Sequence, residues 1–293
     1  MALIEISNIT KDYGGGRGNF DINLSIKKGE AIGFVGTNGS GKTTLIRQIM
    51  GFLRPQKGSI KINGLDAWKQ ADEVKGLIGY VSGEISFPPA PTGSAFLKQQ
   101  AELLGIKDMT IANEIIEKLQ LDLTANLKRM SKGMKQKTAI AAAFMADPQI
   151  LILDEPTTGL DPLMRAEFVR LIHAEKAKGK TIFMSSHMFE EVEDTCDRII
   201  LIKDGQILAE KSMLEIRHNQ EKIYKVEFVD PEEYCRFTGE ALNFSEQKAE
   251  KNQVFVKVNG KEINRFLPIL KNYQPKYITE IKYSLEQYFK SLY

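Results

Sequence analysis

Between Gly36 and Thr43 the chain reads Gly-Thr-Asn-Gly-Ser-Gly-Lys-Thr, the G-x-x-x-x-G-K-T spacing of a phosphate-binding loop. This spacing leaves few folds open, because it needs a buried strand ahead of it and a helix behind it. Both are legible: Ala31 to Val35 is an apolar stretch, and Thr44 to Met50 reads as the opening of a helix. Gly36, Gly39 and Gly41 permit backbone angles that a side chain forbids. Successive N–H groups can then turn inward and cradle a polyphosphate at a helix N-terminus. The expected nucleotide contacts are Gly36, Thr37, Asn38, Gly39, Ser40, Gly41, Lys42, Thr43 and Thr44. Lys42 is expected at the β- and γ-phosphates, and Thr43 on Mg²⁺.

A length of 293 residues allows one large domain or two modest ones. With 40 basic and 38 acidic residues, the net charge is +2. That balance gives no bulk reason to expect nucleic acid or acidic lipid as the main partner. Cys196 and Cys235 lack a metal spacing and read as reduced thiols. No apolar run approaches the roughly 18 residues that span a bilayer. Met1 to Ile9 alternates like a strand and lacks the pattern of a signal peptide, so a cytoplasmic compartment is expected.

In chain order, Leu3 to Ile6 reads as an edge strand. The run Gly14-Gly15-Gly16-Arg17-Gly18 reads as a turn, since no lysine or helix follows to make it a second phosphate loop. Phe20, Ile22, Leu24 and Ile26 share one face of the next strand. Strands are also expected at 59–62 and 78–81. From about 88 to 147 the spacing is helical, with Phe96, Leu97, Ala101, Leu103, Leu104, Ile115 and Ile140 among the apolar positions. Ser131 reads as the N-cap of the last of these helices. Ile150 to Leu153 is aliphatic on both faces, as in the middle of a parallel sheet. Asp161-Pro162 opens a helix that Gly179 closes. Thr181 to Met184 is a further strand, ending in Ser185-Ser186-His187, and Asp204-Gly205 marks a hairpin. The fold expected for residues 1–212 is α/β with a helical insert. Residues 213–293 read as a small α+β domain whose Tyr and Phe residues are core; its expected elements include a helix over 261–273.

Asp154 and Glu155 follow the buried strand, at the end where α/β ligands bind. Asp154 could hold Mg²⁺. Glu155 faces the other way and can polarise an attacking water. Phosphoryl transfer needs mainly positioning and charge neutralisation, which these parts supply.

Several stretches together resemble the ATP-binding cassette (ABC) ATPases, a branch of the P-loop NTPases. Met130-Ser131-Lys132-Gly133-Met134-Lys135-Gln136 resembles their signature, usually L-S-G-G-Q, with Lys132 in place of the first glycine. Ile150 to Glu155 resembles Walker B, Gly159-Leu160-Asp161 the D-loop, and Ser186-His187 the switch histidine. Tyr13 takes the place of the aromatic that stacks on adenine. Glu84 stands where a glutamine usually holds a Mg²⁺ water. Gly79 to Glu84 and the tail Ser284 to Phe289 are similar to the ABC-2 exporter type.

The resemblance implies ATP and Mg²⁺ as cofactors, Glu155 and His187 in catalysis, and Thr43, Asp154 and Glu84 as metal ligands. It implies that Tyr13, Glu84, Ser131, Gly133 and Asp161 contact ATP. Ser131 and Gly133 would do so from a second chain, head to tail, in a homo- or heterodimer. His173 and His218 read as structural. A cassette of this kind drives separate integral membrane permease subunits from the cytoplasmic face of the cell membrane. The alternative is a non-transport ABC protein acting on ribosomes or nucleic acid. Such proteins generally carry two cassettes or a long coiled coil, and this chain shows neither, nor a basic tail. A P-loop kinase is disfavoured by the signature stretch and by Asp154-Glu155.

Overall fold

The computed structural model describes residues 2–217, 221–260, 262–281 and 284–292. Met1, His218 and Lys261, each part of an expectation above, lie outside the described residues. The chain forms two compact units, Met1–Ser212 and Met213–Tyr293. Among the described residues no helix is long and apolar enough to cross a membrane.

The first unit opens with β1 (Ala2–Asp12), β2 (Gly18–Lys27), β3 (Ala31–Val35), α1 (Lys42–Ile49), β4 (Lys57–Ile62), β5 (Leu65–Asp66), α2 (Ala71–Lys75) and β6 (Ile78–Val81). The helical insert holds α3 (Gly93–Leu104), α4 (Thr110–Lys118) and α5 (Lys132–Phe144). Then come β7 (Ile150–Asp154), α6 (Pro162–Ala177), β8 (Thr181–Ser186), α7 (Phe189–Thr195), β9 (Arg198–Lys203) and β10 (Gln206–Ser212).

Six strands form one sheet in the order β10-β9-β3-β8-β7-β6, parallel except for the edge strand β10. β3 and β7 are buried along their whole length, which is why both read as apolar runs without alternation. The register sets Val35 beside Ser186 and Asp154 beside Ser185. The loops that follow β3, β7 and β8 therefore leave the sheet at one end, as expected of an α/β ligand site.

A second, antiparallel sheet runs β2-β1-β4-β5. Here the expectation of an edge strand at Leu3 to Ile6 is corrected. β1 is interior, pairing Ile4 with Ile26 of β2 on one side and with Ile62 of β4 on the other. Period-2 alternation reports a half-buried face and says nothing about how many neighbours a strand has. Ile4, Ile22, Ile26 and Ile60 share a core with Leu45 and Ile49 of α1 and with Phe34, Ile152 and Phe183 of the large sheet.

In the insert, Phe96, Leu97, Ala101, Ile115 and Ile140 are buried as their spacing predicts. Leu103 and Leu104 are not: they are 80% and 54% exposed. Both lie in the last turn of α3, which the left-handed Gly105 ends.

The second unit contains α8 (Met213–Arg217), β11 (Glu221–Phe228), α9 (Pro231–Thr238), β12 (Asn243–Lys248), β13 (Gln253–Asn259), α10 (Ile263–Leu270), β14 (Pro275–Ile281) and α11 (Leu285–Ser291). Its strands are ordered β12-β13-β11-β14 and all neighbours are antiparallel. That is the split β-α-β arrangement of ferredoxin-like domains. Phe228, Tyr234, Phe237 and Phe266 form its core with Val226, Val254 and Val256.

Candidate active site

β3 delivers the chain to Gly36, and the loop returns at Gly41 into α1. Gly41 has φ 106°, and a Cβ there would lie 2.5 Å from Asn19 Nδ2 and 2.8 Å from the Gly18 carbonyl. The Asn19 amide in turn donates to the Gly41 carbonyl at 3.1 Å. The phosphate loop is thus fastened to the hairpin between β1 and β2. Lys42 is buried, and its ammonium donates to the carbonyls of Gly36 at 2.8 Å and Thr37 at 3.2 Å. It also lies 3.7 Å from Glu155 Oε1.

Asp154 ends β7 and is buried. Its Oδ1 accepts from Ser185 Oγ at 2.5 Å, while Oδ2 is buried without a hydrogen-bond partner. A Cβ on Gly83 would come within 3.1 Å of that oxygen. A buried carboxylate oxygen without a donor is costly unless a cation meets it. Asp154 with the Thr43 hydroxyl is an all-oxygen donor set that suits Mg²⁺ completed by water and phosphate oxygens. Among the described residues no cluster of three His, Cys, Asp or Glu could hold a metal by itself.

Glu155 adopts φ 50°, an unusual angle for a residue with a side chain. Two bonds from its N–H hold it there, to the Ser185 carbonyl at 3.1 Å and to Ser185 Oγ at 3.0 Å. The kink turns the carboxylate away from Asp154 and onto His187, whose Nδ1 it contacts. Lys42, Glu155 and His187 are therefore one contact set, with Glu155 in the middle.

These groups line a cleft of about 480 Å³, within the usual range of small-molecule sites. Of the residues expected to bind nucleotide, Tyr13, Asn38, Gly39, Gly41, Lys42, Thr43 and Thr44 line it, as do Glu155 and His187. Gly36, Thr37 and Ser40 belong to the same loop without lining the cleft. Tyr13 is exposed at its mouth, with the Lys11 ammonium 5.6 Å from the ring centre.

Sequence reasoning missed Arg17, Gly18, Gly83 and Thr158, which also line the cleft. The glycine run had read only as a turn. It is a tight hairpin in which Tyr13 N–H donates to the Arg17 carbonyl at 2.8 Å, so both residues stand at the base of one turn, and both line the cleft. No residue spacing in the run marks that placement.

Outside the phosphate loop, five expected site residues do not line this cleft: Asp154, buried behind Gly83, and Glu84, Ser131, Gly133 and Asp161. Glu84 is exposed and lines a separate groove with Tyr80, Phe87 and Phe96. The chain bends after β6, so that Gly83, not Glu84, faces Asp154. Glu84 is therefore left out of the metal set. Ser131 caps α5, its Oγ accepting from Met134 N–H at 3.2 Å. Gly133 packs on the D-loop, where a Cβ would lie 2.7 Å from the Gly159 carbonyl. Asp161 caps α6 by accepting from Met164 N–H at 3.0 Å, and that bond holds its exposed carboxyl below the usual range. His173 is exposed on α6, away from the cleft.

The family profile described as "ABC transporter" matches residues 20–158. The bacitracin transport ATP-binding protein BcrA of Bacillus licheniformis is 35% identical over 231 residues, covering 78% of this chain and 76% of that protein.

The chain belongs to the ABC transporter ATP-binding proteins.

The Nod factor export ATP-binding protein I of Rhizobium etli is 32% identical to this cassette over 215 residues, 72% of this chain and 68% of that one. A solved dimeric ATP-binding cassette in a post-hydrolysis state, bound to ADP and Pi, superposes with a TM-score of 0.64. It is 25% identical and covers 72% of this chain and 98% of its own. This ABC protein binds ATP and is an ATPase of a transport system.

Proposed function

We propose that this chain is one of two paired cassettes on the cytoplasmic face of a membrane. The pair turns over MgATP and drives separate integral membrane subunits that export a substrate of the peptide, antibiotic, lipid or polysaccharide class. The observation that carries the catalytic part is the contact of Glu155 with both Lys42 and His187. Lys42 would exchange its loop carbonyls for the β- and γ-phosphates. Glu155 would accept the proton of the attacking water. His187 engages Glu155 through Nδ1, which leaves Nε2 for the γ-phosphate. Mg²⁺ held by Asp154 and Thr43 would neutralise charge on the phosphates.

Ser131, Gly133 and Asp161 lie outside the cleft of their own chain, as a head-to-tail arrangement requires, and a solved neighbour is dimeric. Relatives named for bacitracin transport and Nod factor export favour the exporter reading. For the membrane partner, the groove of about 440 Å³ that Glu84, Phe87, Phe96 and Leu104 line is the docking face this reading favours. Leu104, in the last turn of α3, is exposed there. Pull-down of the tagged chain from detergent-solubilised membranes is expected to bring multi-span subunits with it. Recovery of ribosomes or nucleic acid instead, with no integral protein, would overturn the transport reading.

His187→Ala is expected to leave ATP affinity within about twofold and to lower kcat by about tenfold or more. Steady-state hydrolysis alongside a nucleotide titration measures both. A wild-type rate would return His187 to a purely structural role.

A further inference from the structure

A buried carboxyl behind the cleft is used by none of this chemistry. Glu191 lies on α7 and is only 6% exposed. Its Oε2 accepts two hydroxyl hydrogen bonds, from Thr157 Oγ1 at 3.0 Å and from Ser186 Oγ at 2.8 Å. Thr157 stands two residues after Glu155, and Ser186 immediately precedes His187. Ser186 Oγ also accepts from the Met188 N–H at 3.0 Å, so this one hydroxyl grips the chain on both sides of His187. The other carboxyl oxygen, Oε1, is buried with no hydrogen-bond partner.

An apolar side chain would fill this space without a stranded oxygen, whereas the acid is costly to bury. What the acid adds is one acceptor shared by two loops that otherwise belong to different strands. We propose that Glu191 is a positioning residue for hydrolysis: it ties the segment after Glu155 to the segment that carries His187 and so fixes the contact between them. The proposal rests on the reading of Glu155 and His187 given above.

Burial pushes the Glu191 carboxyl up to about 7, against the two hydroxyl bonds, which lower it. The charged groups that face it are Glu155, which raises it, and Arg165 of α6, which lowers it. Cys196, next along the chain from α7, is itself pushed up to about 12 by burial and adds no charge near neutrality. The folded state thus keeps a proton that an unfolded glutamate releases near 4.5. The sign follows: the contribution to stability is present below about pH 4.5 and is lost as pH rises through about 7.

The test uses the full-length chain. Glu191→Gln keeps an acceptor for both hydroxyls and carries no charge. It is expected to hold kcat within about threefold of wild type and to flatten the fall in melting temperature between about pH 5 and 7.5. Glu191→Leu removes both bonds while filling the space. It is expected to lower kcat by about tenfold or more, with KM for ATP within about twofold. In a His187→Ala background the same Leu change should cost less than about threefold, because the contact it protects is already gone. A folded Glu191→Leu chain with wild-type kcat overturns the proposal, as does an equal loss in both backgrounds. If Glu191→Leu does not fold, Thr157→Val and Ser186→Ala each remove one bond and should each lower kcat by about three- to tenfold. Wild-type kcat in both overturns the proposal. A wild-type rate in His187→Ala alone would instead sink the underlying catalytic reading, so the two failures are distinguishable.

Discussion

Glu155→Gln is expected to bind ATP normally, to turn over about 10²- to 10⁴-fold more slowly, and to accumulate as an ATP-bound dimer. The amide preserves the shape of the side chain and leaves the two backbone bonds to Ser185 in place. It can still meet His187, but it is no longer a base. Asp154 and Thr43, the proposed metal ligands, are untouched. If Ser131 and Gly133 of one chain reach the γ-phosphate bound to another, ATP binds the closed pair better than the separate chains and stabilises it by linkage. Size exclusion with light scattering should therefore give a dimer with ATP and Mg²⁺, and a monomer with ADP or without nucleotide. Normal hydrolysis by the variant would discard Glu155 as the base. A variant that binds ATP yet stays monomeric would discard the homodimeric trans site and point to a different cassette as the obligate partner.

Lys42→Ala should abolish useful ATP affinity. Truncating one member of a buried, hydrogen-bonded charge pair typically costs about 2–5 kcal/mol, or roughly 30- to several thousand-fold in Kd. Before nucleotide binds, the same side chain ties the loop's end back to its start, donating to the Gly36 and Thr37 carbonyls, so its loss loosens the cradle as well as removing a charge. Glu155 would lose its nearby cation, at 3.7 Å, and would then repel the phosphates unopposed. Titration with a fluorescent ATP analogue measures the effect. Unchanged affinity would remove the phosphate-loop assignment.

What was legible in the sequence follows the physics of each stretch. The Gly36–Thr44 loop and the aliphatic β7 were readable because their chemistry is local: a glycine spacing and a run with no polar face. The caps Ser131 and Asp161 were readable for the same reason. β12, Asn243–Lys248, was not, since Asn-Phe-Ser-Glu-Gln-Lys has one large apolar residue and no alternation. It is a strand because β13 offers it a ladder. The interior position of β1 was hidden in the same way, as partner number is a property of the sheet. In the cleft, Arg17 and Gly83 enter through a hairpin and a bend whose directions no spacing encodes. The displacement of Glu84 from the metal set is the same bend seen from the next residue.

The packing of the first turn of α5 on Gly159 constrains how the protein could be rebuilt. Gly159 has φ 86°, and a Cβ there would meet the Lys132 stem, with Cγ at 3.0 Å and Cδ at 3.2 Å. From the next residue, Gly133 leaves no room for a side chain against the Gly159 carbonyl. Two segments far apart in the chain are thus cut to one another's shape, with the bulk supplied by Lys132. A chimera that grafts only the stretch around 159 from a relative, and brings a side chain to that position, would strain a backbone held at φ 86° and crowd the stem of this lysine. A chimera that transfers both stretches together would carry the fit with it. A crossover between residues 133 and 159 of this chain would part the matched pair, and one outside that interval would keep it.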